Sequence, residues 1–213
     1  MTTRVKICGI TNEEDGLHAA RSGADLLGFV FAESPRRIDP QRAREIVEKV
    51  RAEGFAHIIP VGVFVNEPVG EIVTTCVQAE MAAAQMHGDE TPDQVLAVTR
   101  FGVTAIKSFR IRDQETIDSM SEYYAADYFL CDTYDEKLAG GTGRPFNHAL
   151  VEGLNKSYQL ILAGGLKAEN VAEAIRIVEP WAVDVSSGVE ASPGKKDLAK
   201  VEAFIRNAKS TLA

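Results

Sequence analysis

Cys8 closes the run RVKIC and is followed at once by Gly-Ile-Thr-Asn, and Asp132 closes the run DYFLCD. A thiol and a carboxyl at the ends of two strands can serve as base and acid. The thiol abstracts a proton if nearby positive dipoles lower its pKa. The carboxyl delivers one if partial burial keeps it protonated near neutrality. Packing is the ordinary use of a strand cysteine, and a cap on backbone amides is the ordinary use of a strand-end aspartate. Gly9 favours function for Cys8, because a glycine turn leaves the preceding side chain at a solvent-filled mouth. For Asp132 the two readings stand level.

Anion binding is the second chemistry on offer. LAGGL carries Gly164 and Gly165, and DVSSGVE carries Asp184, Ser186, Ser187 and Gly188. Glycines let backbone N–H groups approach an anion, and serine hydroxyls add donors. Either stretch alone reads equally as an ordinary turn; the pair favours a phosphate site. Arg36 and Arg37 can fork around a carboxylate or lie solvated on the surface. His18, His57, His87 and His148 show no HxH or HExxH spacing, so no metal site is expected. EKLAGGTGRP lacks the GK[ST] of a nucleotide loop and reads as a lid that shields the site.

These groups need elements to position them. RVKIC, DLLGFVF, HIIPVGVFV, AAAQMH, VTAIKSF, DYFLCD, YQLILAGG and WAVDVSSG read as strands, apolar at nearly every residue as in parallel strands covered by helices. Helical stretches alternate with them. Asn12 or Thr11 caps the first, with Gly23 after its end; Asp39-Pro40 and Thr91-Pro92 open the second and fourth, and Gly54 follows the second. DQETIDSMSEYYA reads as one helix, and a short helix is expected near FNHALVEGL. Cys76 falls mid-helix and Cys131 alternates with Asp132, so both read as core. Eight such units point to a single-domain (β/α)8 TIM barrel rather than an open sheet, which would offer GxGxxG after its first strand. In that fold chemistry belongs at the C-terminal strand ends, and the seventh and eighth loops commonly bind phosphate.

Composition narrows the class. The chain has 213 residues, 45% apolar and 25% charged, with a net charge of −8. That balance disfavours nucleic acid and anionic membranes as partners. Three cysteines without CxxC spacing suit reduced thiols in a cytosol. MTTRVKICGI lacks the apolar core of a signal peptide, and no run approaches a membrane span. A cytoplasmic location is expected.

KICGIT, GADLLGFVFAESPRRI, VGVFVN, QMHGDE, CDT with GGTGRPF, LAGGL and AVDVSSGVEASPGKKD together resemble the phosphoribosylanthranilate isomerase family over nearly the whole chain. The resemblance implies an Amadori rearrangement of a phosphosugar in tryptophan biosynthesis. It implies Cys8 as general base, Asp132 as general acid and Arg36 as a contact to the anthranilate carboxylate. It calls for no cofactor, and leaves monomer or homodimer open. FNHAL departs from the family's Phe-Asp-Trp, although Asn147 can cap a helix as Asp does. Two phosphosugar enzymes would share the glycine-rich turns. An indole-glycerol-phosphate synthase needs lysines at strand ends, where only Lys107 is well placed. A ribulose-phosphate epimerase needs a His/Asp metal set. A non-catalytic phosphosugar-binding barrel needs neither Cys8 nor Asp132.

Overall fold

The computed structural model describes residues 3–132 and 151–210. Eight parallel strands close into a barrel: β1 (Arg4–Cys8), β2 (Leu26–Val30), β3 (Ile59–Phe64), β4 (Ala83–Met86), β5 (Thr104–Arg110), β6 (Tyr128–Asp132), β7 (Leu160–Ala163) and β8 (Ala182–Val185). β8 pairs with β1, with Lys6 opposite Asp184. The continuous apolar runs follow from burial on both faces. Leu26, Val61, Ala83, Ile106, Leu130, Ile161 and Ala182 fill the barrel interior, while a larger cluster packs between strands and helices.

The helices are α1 (Glu13–Ser22), α2 (Pro40–Ala52), α3 (Val69–Gln78), α4 (Pro92–Arg100), α5 (Gln114–Ser119), α6 (Val171–Val178) and α7 (Leu198–Lys209). Their ends follow the local chemistry. Asn12 accepts from the Asp15 N–H, and Gly23 closes α1 at φ 98°. Asp39 caps α2 with Pro40 in its first turn. Thr91 and Gln94 form a reciprocal capping box on α4. Cys76 and Cys131 are buried in the layer between barrel and helices, as expected.

The fold departs from expectation in three places. α5 stops at Ser119 and continues only as a 3-10 turn over Met120–Glu122, with Met120 packed in the core. After β8 the chain makes a 3-10 turn over Ser187–Val189 and then a hairpin, β9 (Glu190–Ser192) with β10 (Lys195–Lys196). Pro193-Gly194 turns it, with Gly194 at φ 79°. The third departure is Lys107. It shares a strand with inward Ile106, so its own side chain faces the helix layer. There Nζ donates to Glu90 Oε2 at 2.8 Å and the Gly88 carbonyl at 2.7 Å. It lies near the Phe109 and Tyr123 rings, away from the mouth. The expected lid, Asn147, His148 and most of the helix near FNHALVEGL fall outside the described residues.

Alternate strands contribute side chains to successive interior layers. With the register and strand stagger of the closed barrel, one layer holds Cys8, Val63, Ser108 and Ala163 from β1, β3, β5 and β7. Their exposures are 7%, 7%, 8% and 5%. The layer beneath holds Gly28, Gln85, Leu130 and Asp184 from the even strands.

The Glu90–Lys107 pair also ties the β3 and β4 loops, since Glu90 accepts from the Asn66 and Gly88 N–H groups. Glu90→Ala strands the buried Lys107 charge. The expected loss is about 3–5 kcal/mol of unfolding free energy, read from the shift in urea midpoint. The exposed cap variant Thr91→Ala should lose only about 1 kcal/mol.

Candidate active site at the C-terminal mouth of the barrel

Cys8 sits on β1 with its side chain in the barrel. Space for it comes from Gly28 on β2: a Cβ there would stand 2.7 Å from Cys8 Sγ and 2.9 Å from Lys6 Nζ. The missing side chain is what lets thiol and ammonium meet. Lys6 is fully buried and donates to Asp184 Oδ1 at 2.9 Å. Burial pulls the Lys6 pKa down, but Asp184 and Cys8 outweigh it, and the net direction is up. For Cys8, burial pushes the pKa up, and Asp184 adds to this. Lys6 and Lys196 oppose them, and the net shift is upward. The expectation of a lowered thiol pKa is therefore corrected: two lysines are present, but desolvation prevails. Asp184 lies below the mouth and is bonded to Lys6, not displayed among the glycine-rich turns.

The loop after β2 brings Arg36 over Gly9. A Cβ on Gly9 would meet Arg36 Cδ at 2.7 Å and Ser186 Oγ at 3.2 Å, and its φ of 80° suits glycine. Arg36 is not solvated alone. Nε and Nη2 donate to Glu190 at 2.8 and 2.6 Å, a bidentate pair that raises its pKa. Nη1 lies outside that pair. Glu190 also accepts from Lys196 Nζ at 3.1 Å. Lys196 in turn donates to the Cys8 carbonyl at 2.6 Å and the Ser186 carbonyl at 3.3 Å. Burial lowers the Lys196 pKa despite Glu190 and Cys8. Burial raises the Glu190 pKa, but Arg36 and Lys196 reverse that to a net lowering. Arg37 is exposed and lines a separate cavity of about 480 Å³ with Phe31 and Phe64.

The turns after β7 and β8 lie side by side. Gly164 and Gly165 take φ of 92° and 60°. Gly188 packs so closely that a Cβ would collide with the Leu166 carbonyl. Its lack of a side chain thus joins the two loops. Ser187 is exposed, and Ser186 and Gly188 are half-buried. Backbone N–H groups and hydroxyls at this rim can hold an anion.

Asp132 is half-buried at the end of β6, with Oδ2 3.9 Å from His87 Nε2. The other ring nitrogen of His87 is 3.0 Å from Gln85 Nε2. Burial lowers the His87 pKa, against Asp132 and Asp184, which favours the neutral imidazole. The sequence reading missed Lys6, Glu190 and Lys196. Strand parity with Cys8 marked Lys6 as inward, and Pro193-Gly194 marked the hairpin that carries the last two. Among the described residues no cluster of three His, Cys, Asp or Glu could hold a metal ion, and no helix is long and apolar enough to cross a membrane.

Comparison with known proteins gives a consistent result. The model of the family described as N-(5'phosphoribosyl)anthranilate (PRA) isomerase matches residues 5–207. A relative from Pelobacter propionicus, named N-(5'-phosphoribosyl)anthranilate isomerase, is 46% identical, covering 98% of this chain and 96% of its own. The crystal structure of phosphoribosyl anthranilate isomerase from Thermotoga maritima superposes with a TM-score of 0.89 at 40% identity, covering 98% of this chain and 100% of its own. Another solved isomerase, in complex with reduced 1-(o-carboxyphenylamino)-1-deoxyribulose 5-phosphate, has a TM-score of 0.86 at 38% identity, with the same coverage.

The raised Cys8 pKa has a direct readout. Alkylation of Cys8 by iodoacetamide should keep accelerating as pH rises past the ordinary thiol range, because burial shifts formation of the reactive thiolate upward. Cys76 and Cys131, each pushed up to about 12 by burial, should remain unmodified at those pH values. Peptide mapping across a pH series checks this; a Cys8 rate that levels off near neutrality contradicts it.

Proposed function

Because the chain belongs to the phosphoribosylanthranilate isomerase family, we propose that it converts N-(5-phosphoribosyl)anthranilate into 1-(2-carboxyphenylamino)-1-deoxyribulose 5-phosphate. One observation carries the reading at the level of the site. β7 and β8, which bear the glycine-rich turns, stand between β6 with Asp132 and β1 with Cys8. A sugar anchored by its phosphate at those turns spans the gap between a carboxyl and a thiol.

The chemistry balances without an external oxidant or reductant. Asp132 protonates the furanose oxygen as the nitrogen lone pair expels it from C1, which opens the ring to an iminium. The thiolate of Cys8 takes the proton from C2, and the electrons of that C–H bond form a C1–C2 double bond. The resulting enolamine tautomerises to the C2 ketone with a new proton on C1. C1 is reduced and C2 oxidised within one molecule. Lys6 and Lys196 favour the thiolate against the burial that opposes it. Arg36 offers Nη1 to the anthranilate carboxylate, while Glu190 fixes the plane of its guanidinium. The phosphate receives backbone donors at Gly164, Gly165 and Gly188 and hydroxyls from Ser186 and Ser187. The outward Lys107 removes the lysine on which a synthase reading would depend.

Two sets of variants test this. Cys8→Ala should abolish turnover of phosphoribosylanthranilate while the reduced product still binds, because the thiolate moves a proton and contributes little to binding. Asp132→Asn should lose at least ~100-fold in kcat. Near-normal turnover in either, followed by the loss of substrate fluorescence, removes that residue from its role.

Gly188→Asp should weaken phosphate-bearing ligands far more than unphosphorylated anthranilate, since it adds both bulk and negative charge to the cradle. Gly188→Ala should act in the same direction, because its Cβ alone forces the β7 and β8 turns apart. Titration of both ligands against both variants decides. An equal loss for the two ligands would point to a damaged barrel.

A further inference from the structure

His87 follows β4 at the mouth, and each of its ring nitrogens has a neighbour. Nδ1 lies 3.0 Å from Gln85 Nε2, and Nε2 lies 3.9 Å from Asp132 Oδ2. The backbone here is pinned: the His87 N–H donates to the Phe64 carbonyl, and the Gly88 N–H donates to Glu90. Gln85 is buried inside the barrel at 2% exposure. A side-chain amide nitrogen only donates. Nδ1 must therefore accept, and a neutral ring then carries its proton on Nε2. Turning the amide over would strand its two N–H groups where Oε1 now has no partner among the described residues. A buried N–H without a partner is the rarer defect.

The charged groups acting on the ring are Asp132 and Asp184, which favour its protonation, and Lys6 and Arg110, which oppose it. Burial acts most strongly, and the neutral imidazole is favoured. The place of its proton matters because of what Asp132 becomes. As a general acid, Asp132 gives its proton to the sugar and is left a carboxylate. A fixed N–H aimed at that oxygen stabilises the charge as it develops, with no reorientation. The other tautomer would aim a lone pair at it. At 3.9 Å the two groups stand apart in the free protein. Closing by about 1 Å brings them into hydrogen-bond range, and catalytic contacts commonly tighten in this way once substrate is bound.

We infer that His87 is a positioning residue for the general acid: Gln85 fixes its proton on Nε2, and that N–H receives the Asp132 carboxylate as the acid releases its proton. His87 keeps its own proton throughout, and the sugar oxygen gains the one that Asp132 loses. The role rests on the isomerase reading for the identity of the acid. The tautomer does not.

The test combines NMR of the 15N-histidine-labelled protein with steady-state kinetics on wild type, Gln85→Leu, His87→Leu and His87→Gln. The His87 signals are those absent from His87→Leu. In free wild type at neutral pH they should show a protonated Nε2 and a bare Nδ1. Gln85→Leu should shift population toward the Nδ1–H form and lower kcat with it. His87→Leu should lose about tenfold or more in kcat, the scale of one hydrogen bond to a charged group. KM should change less, because the bond forms only as the proton leaves. His87→Gln returns an N–H near the position of Nε2 and should recover most of the loss. Affinity for the reduced product checks that each variant is folded. A wild-type His87 protonated on Nδ1 or on both nitrogens overturns the inference. So does a His87→Leu variant with wild-type kcat, or a His87→Gln variant as slow as His87→Leu. A wild type that fails to turn over phosphoribosylanthranilate retires the isomerase reading, and the role of His87 with it. The tautomer is read from the free protein and stands or falls separately.

Discussion

Lys6 carries a positive charge into the barrel with its side chain fully buried, and the mouth is built around holding that charge. Asp184 on the neighbouring strand neutralises it at 2.9 Å, and Gly28 gives up a side chain so that the ammonium can lie beside Cys8. A second buried ion pair, Lys196 with Glu190, reaches the same strand end through the Cys8 carbonyl and extends to Arg36. Three cations then face two carboxylates. One positive charge is in excess while Cys8 is a thiol, and ionising Cys8 closes the balance. Burial resists that ionisation and the excess charge favours it. The outcome of this competition is a thiol pKa raised above its ordinary value.

The hairpin after β8 makes this arrangement rigid. Thr11 Oγ1 donates to the Gly194 carbonyl, and the Lys196 N–H donates to Asp15, which belongs to α1. Loop one, loop two and loop eight are therefore clamped around Cys8 by bonds between residues more than 150 positions apart. The opposite wall differs. Asp132 and His87 stand 3.9 Å apart, longer than a hydrogen bond, and Gln85 and Ser108 keep unpaired atoms there. One wall is held by the Lys6–Asp184 and Lys196–Glu190 ion pairs, and the other carries the amide of Gln85, the hydroxyl of Ser108 and the imidazole of His87.

An acidic protein can host an anionic substrate on these terms. The net charge is −8, and many charged side chains lie in exposed pairs such as Arg44–Glu48 and Lys49–Glu53, which water and salt screen. At the mouth the donors are backbone amides, hydroxyls and a few desolvated cations, whose effect is local. Net charge bears on nonspecific partners; the site depends on a handful of groups shielded from solvent.

Much of this protein is written locally in its sequence. The eight apolar runs, the caps at Asn12, Asp39 and Thr91, and the glycine turns after β1, β7 and β8 depend on neighbours a few residues away, and all appear in the fold. Placing Cys8 and Asp132 at one mouth needed only the closure of the barrel. Tertiary structure decided the rest. Lys107 and Lys6 are both strand lysines of opposite parity, but that one ammonium meets Glu90 and the other meets Asp184 beside Cys8 is decided only by the closed fold. Arg36 finds Glu190, Lys6 finds Asp184 and Lys196 finds the Cys8 carbonyl across separations of 154, 178 and 188 residues. The direction of the Cys8 pKa depends on those contacts and on burial together. Composition and spacing report which groups exist, but desolvation and charge pairing exist only once the chain has closed.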